Sequence, residues 1–576
     1  MGLDGLSDRL ASSHGEGPIP RNGDAGQGSC SQGRTAHLPA SGGGLNVGLR
    51  AQATLQKTNI TAPPKIEKRD ATSPEARSAD FVAGKIQQLM ALFPELITEG
   101  KNGPAVNVDR LKALVGDRTV TDADEKYGLN WYGKRRAWQL ALTPSTGTLR
   151  PCPEKSVDWA TSRHRMIEGD NLEVLKLLQK SYGGRVKLIY IDPPYNTGKD
   201  FVYPDRFQES IKNDPDWTRK GQGGEKIRSN TEASGRFHTN WLNMIYPRLK
   251  LARELLCEEG VIFISIGDRE LANLRQVCDE LFGEEHFIAH IVWEKKYTRS
   301  NDATWFSANH DHILAYAKNK ERLRLNRQER NQKQLKSYTN PDHHPKGPWK
   351  ATPLHAKSGT NTKSFTFRNG IVWAPPKGTF RRFNDATMQQ MEEGNEIWFG
   401  EKGGQTPQRK SFLSEVKQGV TPVTLWPYQE VGHSHEANNE LKALGLGGIF
   451  ENPKPVRLLR RMIHLATSPD REEIVLDFFA GSGTTAQAVL EANVQDGGNR
   501  RFICVQLPYP LSRPVHDERM TLTTIADMTS ERIRRAARAL RARQETYKGD
   551  LGFRVYRLSS SNQRSKVGTS TRIQTL

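Results

Sequence analysis

Asp192-Pro193-Pro194-Tyr195 closes the apolar run Val186-Lys187-Leu188-Ile189-Tyr190-Ile191. Two consecutive prolines remove two backbone donors and leave their carbonyls as acceptors. Asp192 adds a charged acceptor and Tyr195 a flat ring. The set suits a planar group bearing an NH2, with acceptors for its hydrogens and a face to stack on, a contact worth about 1–3 kcal/mol for a base. Far downstream, Ile474-Val475-Leu476 opens into Asp477-Phe478-Phe479-Ala480-Gly481-Ser482-Gly483-Thr484-Thr485. Gly481 and Gly483 allow a tight turn and close approach of a ligand to the backbone. Asp477, just past the strand core, is placed to hold the amino group of a cationic ligand. The loop has neither the Gly-x-Gly-x-x-Gly of dinucleotide sites nor the Lys-Ser/Thr of a P-loop. NAD and ATP are disfavoured, and a nucleoside cofactor of another kind fits.

These loops need a scaffold that brings them together. From Met166 onward, apolar runs of strand length alternate with helical faces: a helix with Leu172, Leu175 and Leu178, the strand ending at Ile191, a helix through Ile245, Leu249 and Ala252, and a strand over 261–266. A further helix carries Leu271, Leu274, Val277 and Leu281, and strands follow at 288–293 and 313–316. The alternation returns at Ile474, with a helix from Thr484 and a strand over 502–506. This pattern predicts an α/β fold with a doubly wound, mostly parallel sheet. Ligands of such sheets bind beyond the strands' carboxyl ends where strand order reverses. Neighbouring strands would therefore set both loops on one cleft.

The flanking regions differ in character. Residues 1–78 are rich in Gly, Ser, Pro and Arg and read as a disordered tail. Residues 79–160 read as a small, mostly helical unit with Trp131 and Trp138, opening on an amphipathic helix that stops at Pro94. Residues 161–320 form the half of the main domain that bears Asp192, and residues 451–512 the half that bears the glycine loop. Between them, residues 321–450 are irregular, basic and aromatic (Trp349, Phe365, Phe367, Trp373, Phe380–Phe383, Trp398, Phe399). That composition suits contact with nucleic acid, and it equally suits a β-rich unit with an aromatic core. Residues 513–576 read as a basic helix, centred on 530–538, and a tail. The long polar loop from residue 196 to about 240, with Lys199, Arg219, Lys220, Lys226 and Arg228, is expected to order on DNA.

The formal net charge is +19, from 84 Lys and Arg against 65 Asp and Glu, which points to a polyanionic partner. None of the five cysteines forms a Cys-x-x-Cys pair, so neither a zinc site nor a disulfide framework is indicated. A reducing, cytoplasmic setting fits. No run approaches a membrane span, and no apolar segment near the N-terminus resembles a secretory signal. Pro151-Cys152-Pro153 resembles the nucleophile of cytosine C5 methyltransferases but follows no glycine-loop strand, so Cys152 reads as a linker residue. His343, His344, His433 and His435 lack a completing Cys or carboxylate and read as solvent or structural histidines, with no metal site. No helicase or nuclease signature is present.

The two loops together resemble the DNA amino-methyltransferases that use S-adenosylmethionine. Asp192–Tyr195 resembles their catalytic motif, and Phe479-Ala480-Gly481-Ser482-Gly483 their cofactor motif. The catalytic motif comes first, with a long insertion between the two, which is the permuted order of the beta group. Asn452-Pro453-Lys454-Pro455 resembles a further element of that group. Gly169-Asp170-Asn171, Asp192 through Gly198, Trp349, Lys410-Ser411-Phe412-Leu413 and Asp550-Leu551-Gly552-Phe553 narrow the resemblance to modification subunits of type III restriction systems, over residues 80 to 562.

The resemblance implies a Rossmann-like methyltransferase domain with residues 321–450 as an inserted target-recognition region. It implies N6 methylation of a flipped-out adenine in duplex DNA, with Asp192, Pro193, Pro194 and Tyr195 catalytic. It implies that Asp170, Asp477, Phe479, Gly481, Ser482, Gly483, Thr484 and Gln506 hold S-adenosylmethionine. Gln506 departs from the acid usual at its position, although an amide still bonds a ribose hydroxyl. A homodimer and a separate helicase-nuclease restriction subunit are the implied partners. N4-cytosine methylation is the alternative chemistry, though it more often accompanies Ser in place of Asp192. A DNA-binding specificity subunit without catalysis is the alternative class, and the intact Asp192, Tyr195 and glycine loop speak against it.

Overall fold

A computed structural model describes residues 81–100, 103–108, 110–111, 128–198, 237–516 and 521–560. The tail expected over 1–78 and the cationic stretch from Lys199 to Arg228 lie outside the described residues.

Ten strands form the main sheet. In chain order they are β1 (Gly147–Pro151), β2 (Arg165–Glu168), β3 (Val186–Ile191), β4 (Leu256–Ile266), β5 (Phe287–Glu294), β6 (His310–Ala317), β7 (Leu425–Trp426), β8 (Ile474–Asp477), β9 (Arg501–Gln506) and β10 (Arg554–Ser560). Their spatial order is β7-β5-β6-β4-β3-β8-β9-β2-β10-β1. The stretch from β4 to β10 is parallel throughout; β6 runs antiparallel to both β4 and β5, and β1 antiparallel to β10. Helices α1 (Lys134–Leu142), α2 (Asn171–Tyr182), α3 (Phe237–Leu255), α4 (Asp268–Phe282), α5 (Ser434–Ala443), α6 (Val456–Ala466), α7 (Thr484–Asp496) and α8 (Ile525–Arg543) accompany it. The doubly wound, mostly parallel sheet expected from the alternation is the architecture found.

The unbroken apolar runs have a physical cause: a parallel sheet is covered on both faces. In β3, Val186, Ile189 and Ile191 enter one core, while Leu188 and Tyr190 enter the other. β8 divides likewise, with Ile474 and Leu476 on the first side and Val475 on the second. Lys187 is buried in the same run because its ammonium reaches the Glu259 carbonyl at 2.8 Å.

Two flanking segments belong to the sheet rather than beside it. The segment expected as a mostly helical unit over 79–160 has the expected helix, Phe81–Leu92, ending before Pro94, and α1, but also β1 and a small antiparallel pair, Ile97–Gly100 with Gly103–Val106. The segment expected as a basic helix and tail over 513–576 contributes that helix as α8, but also the strand β10, which sits between β2 and β1. Hydrophilic residues hid this, since the charges are used internally. Buried Glu168 of β2 is held by Lys155 at 2.9 Å and by Arg557 of β10 at 2.9 Å.

The insertion has its own small core of Leu354, Phe367, Trp373, Met388, Met391 and Ile397. Its three-stranded antiparallel sheet joins Ile397–Trp398, Gln408–Phe412 and Trp349–Pro353. Lys410 is buried there, bonded to Asp342 at 2.5 Å and to the Asn395 carbonyl at 2.6 Å, between the rings of Trp349 and Trp398. Several of the aromatics read from sequence are therefore packing residues. From Leu425 the chain has already rejoined the main sheet, since β7 pairs with β5. That return lies earlier than the expected boundary at 450.

Deleting residues 550–576 removes β10, uncovering β2 and leaving Glu168 without Arg557. Arg557 is half exposed and Lys155 still holds Glu168, so that pairing adds only about 1 kcal/mol, and the larger loss is the apolar face of β2. The shortened chain is expected to melt at markedly lower temperature or to lose solubility, as circular dichroism and sedimentation would record.

Candidate active site

Register places the two loops level. Ile474, Val475 and Leu476 of β8 pair with Val186, Leu188 and Ile189 of β3. From β3 the chain continues through α3 to β4 on one side, and from β8 through α7 to β9 on the other. The β3/β8 seam is thus the point where strand order reverses. One cavity of about 980 Å³ opens there, lined by Asp192, Tyr195, Lys454, Phe479, Gly481 and Gln506 among others.

The loop after β3 is fixed from behind. Trp241 of α3 donates to the Pro194 carbonyl at 2.7 Å. Asn196, at φ +60° and fully buried, donates to Glu270 at 2.5 Å and to the Phe237 carbonyl at 3.3 Å. Asp192 and Tyr195 are left facing the cavity. The Tyr195 hydroxyl is buried and faces Asp192, without a well-formed hydrogen bond to it or to any other described residue. Burial, and after it the charge of Asp192, push this phenol well above its ordinary range. Tyr195 is thus an uncharged ring at neutral pH.

Asp192 is half occupied. Its Oδ2 accepts from the Lys454 ammonium at 2.5 Å, while its Oδ1 is buried and unpartnered. Lys454 also sits 5.2 Å from the Tyr195 ring centre and 6.0 Å from that of Trp293. Nearby Asp311 pairs with Lys295 at 2.6 Å; burial raises its pKa, an effect Lys295 opposes.

The glycine loop is braced at nearly every residue. Gly481 adopts φ +50°, and a Cβ there would stand 3.0 Å from Phe450. Gly483 adopts φ +84°, and its Cβ would meet the Thr529 side chain at 3.1 Å and backbone at 3.2 Å. Both positions require glycine. Asp477 accepts from Phe479 N at 3.0 Å and from the Thr485 hydroxyl at 2.5 Å. Gln506 Oε1 accepts from Gly481 N at 2.7 Å. Asn171 holds the Phe478 carbonyl at 2.6 Å, while Asp170 caps α2 through Leu172 N and Glu173 N.

The expected site residues therefore fall into two groups. Asp192, Pro193, Pro194, Tyr195, Phe479, Gly481 and Gln506 meet at the cavity. Asp170, Asp477, Ser482, Gly483 and Thr484 stand outside its lining and shape the loop. Their donors and acceptors are taken within the protein. Ser482 and Thr484 each accept from Arg532 of α8 at 2.8 Å.

Arg532 and Lys454 are the residues that sequence reading did not single out. Arg532 is fully buried, bonds Gln487 at 2.8 Å, and lies 3.5 Å from Glu440 of α5. Burial lowers its pKa to about 10 and raises that of Glu440 to about 7. Glu440 in turn caps α6 at Val456 N, 3.1 Å away. Thr484 donates to the Lys454 carbonyl at 3.1 Å, so the brace on the glycine loop extends to the residue that grips Asp192. The one signal for Lys454 was its place in Asn452–Pro455. For Arg532 there was none, because a fully buried arginine in an arginine-rich helix looks like every other arginine beside it. Of the histidines considered, His433 and His435 line the cavity, and His344 is buried against the Gly394 carbonyl at 3.2 Å. Elsewhere, Asp268, His310 and His312 bring ligand-type atoms within 4.8 Å of one another, a grouping not foreseen.

With this geometry in place, comparison with known proteins is decisive. A family model described as DNA methylase matches residues 186–507, more than half of the chain and the span that holds both loops. The StyLTI Mod subunit of a type III restriction-modification enzyme, from Salmonella typhimurium, is 36% identical over 82% of this chain and 71% of its own. The EcoP15I Mod subunit from Escherichia coli is 33% identical over 82% and 76%. The chain belongs to the type III Mod subunit family of DNA methylases. The EcoPI Mod subunit of Escherichia phage P1, 32% identical over 77% of this chain and 73% of its own, stands in the same group.

Two outcomes follow for this family member. Lys454→Ala should leave Asp192 free to swing and lower kcat by about 10²-fold, the scale of a misplaced reacting group, with Lys454→Arg intermediate; single-turnover methylation measures both. The second concerns Asp477, whose pKa burial raises from 3.8 to about 7. The folded chain holds this proton more tightly than the unfolded one. Asp477 therefore favours folding in acid, and that contribution is lost as pH climbs from 3.8 through about 7. Asp477→Asn should flatten the decline in melting temperature across that window. An unchanged slope would place the titration elsewhere.

Proposed function

We infer that the chain is the modification subunit of a type III restriction-modification system and methylates the N6 amine of adenine in duplex DNA. The observation that carries this reading is the half-occupied carboxylate: Asp192 offers one buried, unpartnered oxygen to the cavity while Lys454 fixes the other. An extruded base places its amino hydrogen on that oxygen, and no described donor occupies the Pro193 carbonyl, which serves as the second acceptor. The uncharged Tyr195 ring supplies a stacking surface. The exocyclic nitrogen of adenine is a poor nucleophile because its lone pair is delocalised into the ring. Two acceptors on its hydrogens draw the lone pair out of conjugation, and a carboxylate already in place stabilises the positive charge that grows on nitrogen.

S-adenosylmethionine fits the other half of the cavity. Gly481 leaves backbone open where any side chain would intrude, Phe479 gives an apolar wall, and Gln506 lies alongside. When bound, that cofactor supplies an electrophilic methyl group. The residues facing it would be Phe479, Gly481 and Gln506, with Asp170, Asp477, Ser482, Gly483 and Thr484 holding the loop in shape. N4-cytosine methylation gains no support from an aspartate at position 192.

The relatives' names carry the type III system, and a DNA-bound dimer with a separate restriction subunit accords with that reading. Among the described residues no helix is long and apolar enough to cross a membrane, and a cytoplasmic location is part of the proposal.

Sequencing host DNA for N6-methyladenine, with and without the protein, tests the function and yields its site. Asp192→Ala should reduce methylation at least about 10²–10³-fold, the loss typical of a preorganised charge-stabilising group, while cofactor still binds on titration. Tyr195→Phe is expected to be milder than Tyr195→Ala. Full methylation by the Asp192→Ala protein would refute the assignment.

A further inference from the structure

The loop from Lys295 to Asn309 joins β5 to β6 at the cavity mouth. Its first residues, Lys295, Lys296, Tyr297 and Thr298, line the cavity. They are tied down firmly. Lys295 N and Lys296 N donate to the Asn309 carbonyl at 3.0 and 3.2 Å. Asn309 donates to the Thr298 carbonyl at 3.2 Å, and Tyr297 stacks on Tyr428 with ring centres 5.0 Å apart. Ser300 N donates to Ser307 Oγ at 2.9 Å, and Ser307 donates to Asn309 Oδ1 at 2.5 Å.

Adjoining Ser307, at the tip, stand Trp305 and Phe306, 89% and 95% exposed, the most exposed large hydrophobic residues among those described. No ring or cation packs on either among the described residues. Two adjacent bare aromatics on a loop pinned by its own hydrogen bonds are not a fraying segment. They are a surface that waits for a partner.

We propose that Trp305 and Phe306 form a wedge that enters duplex DNA beside the target and fills the gap left by the extruded base; this rests on the reading of the cavity as a site for a flipped adenine. The location selects DNA as the occupant. The wedge rises from residues that line the very cavity into which the base must turn. Its foot carries Lys296 and Arg299, besides Lys295 which pairs with Asp311, against a single acidic residue of the tip, Asp302, in a chain of net charge +19. A base leaving the stack vacates an apolar slot one ring thick, and aromatic or aliphatic side chains fill such slots in kinked or opened duplexes. Stacking is indifferent to sequence, so the wedge would aid extrusion without choosing the site.

The test uses the full-length protein and the double variant Trp305→Ala/Phe306→Ala. The DNA is a duplex bearing the site found by methylation sequencing. Both side chains are exposed, so the variant's melting temperature should match wild type. With 2-aminopurine at the target adenine, the fluorescence rise on binding should fall about fivefold or more in the variant, and kcat on the paired duplex about tenfold. Placing the target opposite an abasic site removes most of the cost of opening and should restore kcat to near the wild-type rate. Equal fluorescence and equal kcat on the paired duplex would overturn the wedge. So would an equal loss on both duplexes, or a change in oligomeric mass, which would assign the rings to general DNA affinity or to a second copy of the chain. If wild type methylates neither duplex, the methyltransferase reading falls and takes the wedge with it.

Discussion

A single ammonium joins the two halves of the site. Lys454 lies outside both signature loops, yet its side chain grips Asp192 and its backbone carbonyl is held by Thr484. The Asp192 carboxylate sits in a cavity floor that it shares with Asp311. The cation beside it holds one oxygen and leaves the other free with a fixed direction. The catalytic geometry is therefore not a property of the Asp-Pro-Pro-Tyr turn alone. It exists only when the segment before α6 is seated against the end of β3.

That seating is itself imposed from a distance. Arg532 of α8 contacts Ser482 and Thr484 in the loop, Gln487 in α7 and, across 3.5 Å, Glu440 in α5. A buried guanidinium with an incomplete set of partners costs folding energy, and one of its nitrogens has no hydrogen bond at all. Such an expense is commonly met where position matters more than stability. The contacts radiate from one planar group to the glycine loop, α7 and α5, so none of these can shift alone.

How much of this was legible beforehand depends on the scale of the signal. β3 and β8 were plain because burial on both faces demands uninterrupted apolar residues. Asp192 and Gly481 were plain because proline pairs and left-handed glycines have few other uses at strand ends. Asp477, Ser482 and Thr484 were read as ligand contacts, whereas their polar atoms bond the loop itself; spacing cannot distinguish a residue that touches a ligand from one that shapes the wall. Arg532, Arg557 and Lys410 were obscured for a related reason. Composition counts a charge but says nothing of whether it faces water, and these three face partners hundreds or tens of residues away. The aromatics of the insertion divided for the same cause, with Trp349, Phe367 and Trp373 fully inside and Phe365, Phe380, Phe383, Trp398 and Phe399 half-buried.

The placement of β10 between β2 and β1 has a bearing on how the protein comes to life. A ribosome delivers the Asp192 turn and the glycine loop well before it delivers the helix that carries Arg532 and the strand that completes the sheet. Until those segments emerge, the nascent polypeptide has a donor loop without the Arg532 clasp and a β2 edge without β10. The braced geometry of the site is thus withheld until residues 525–560 have been made and have folded onto it.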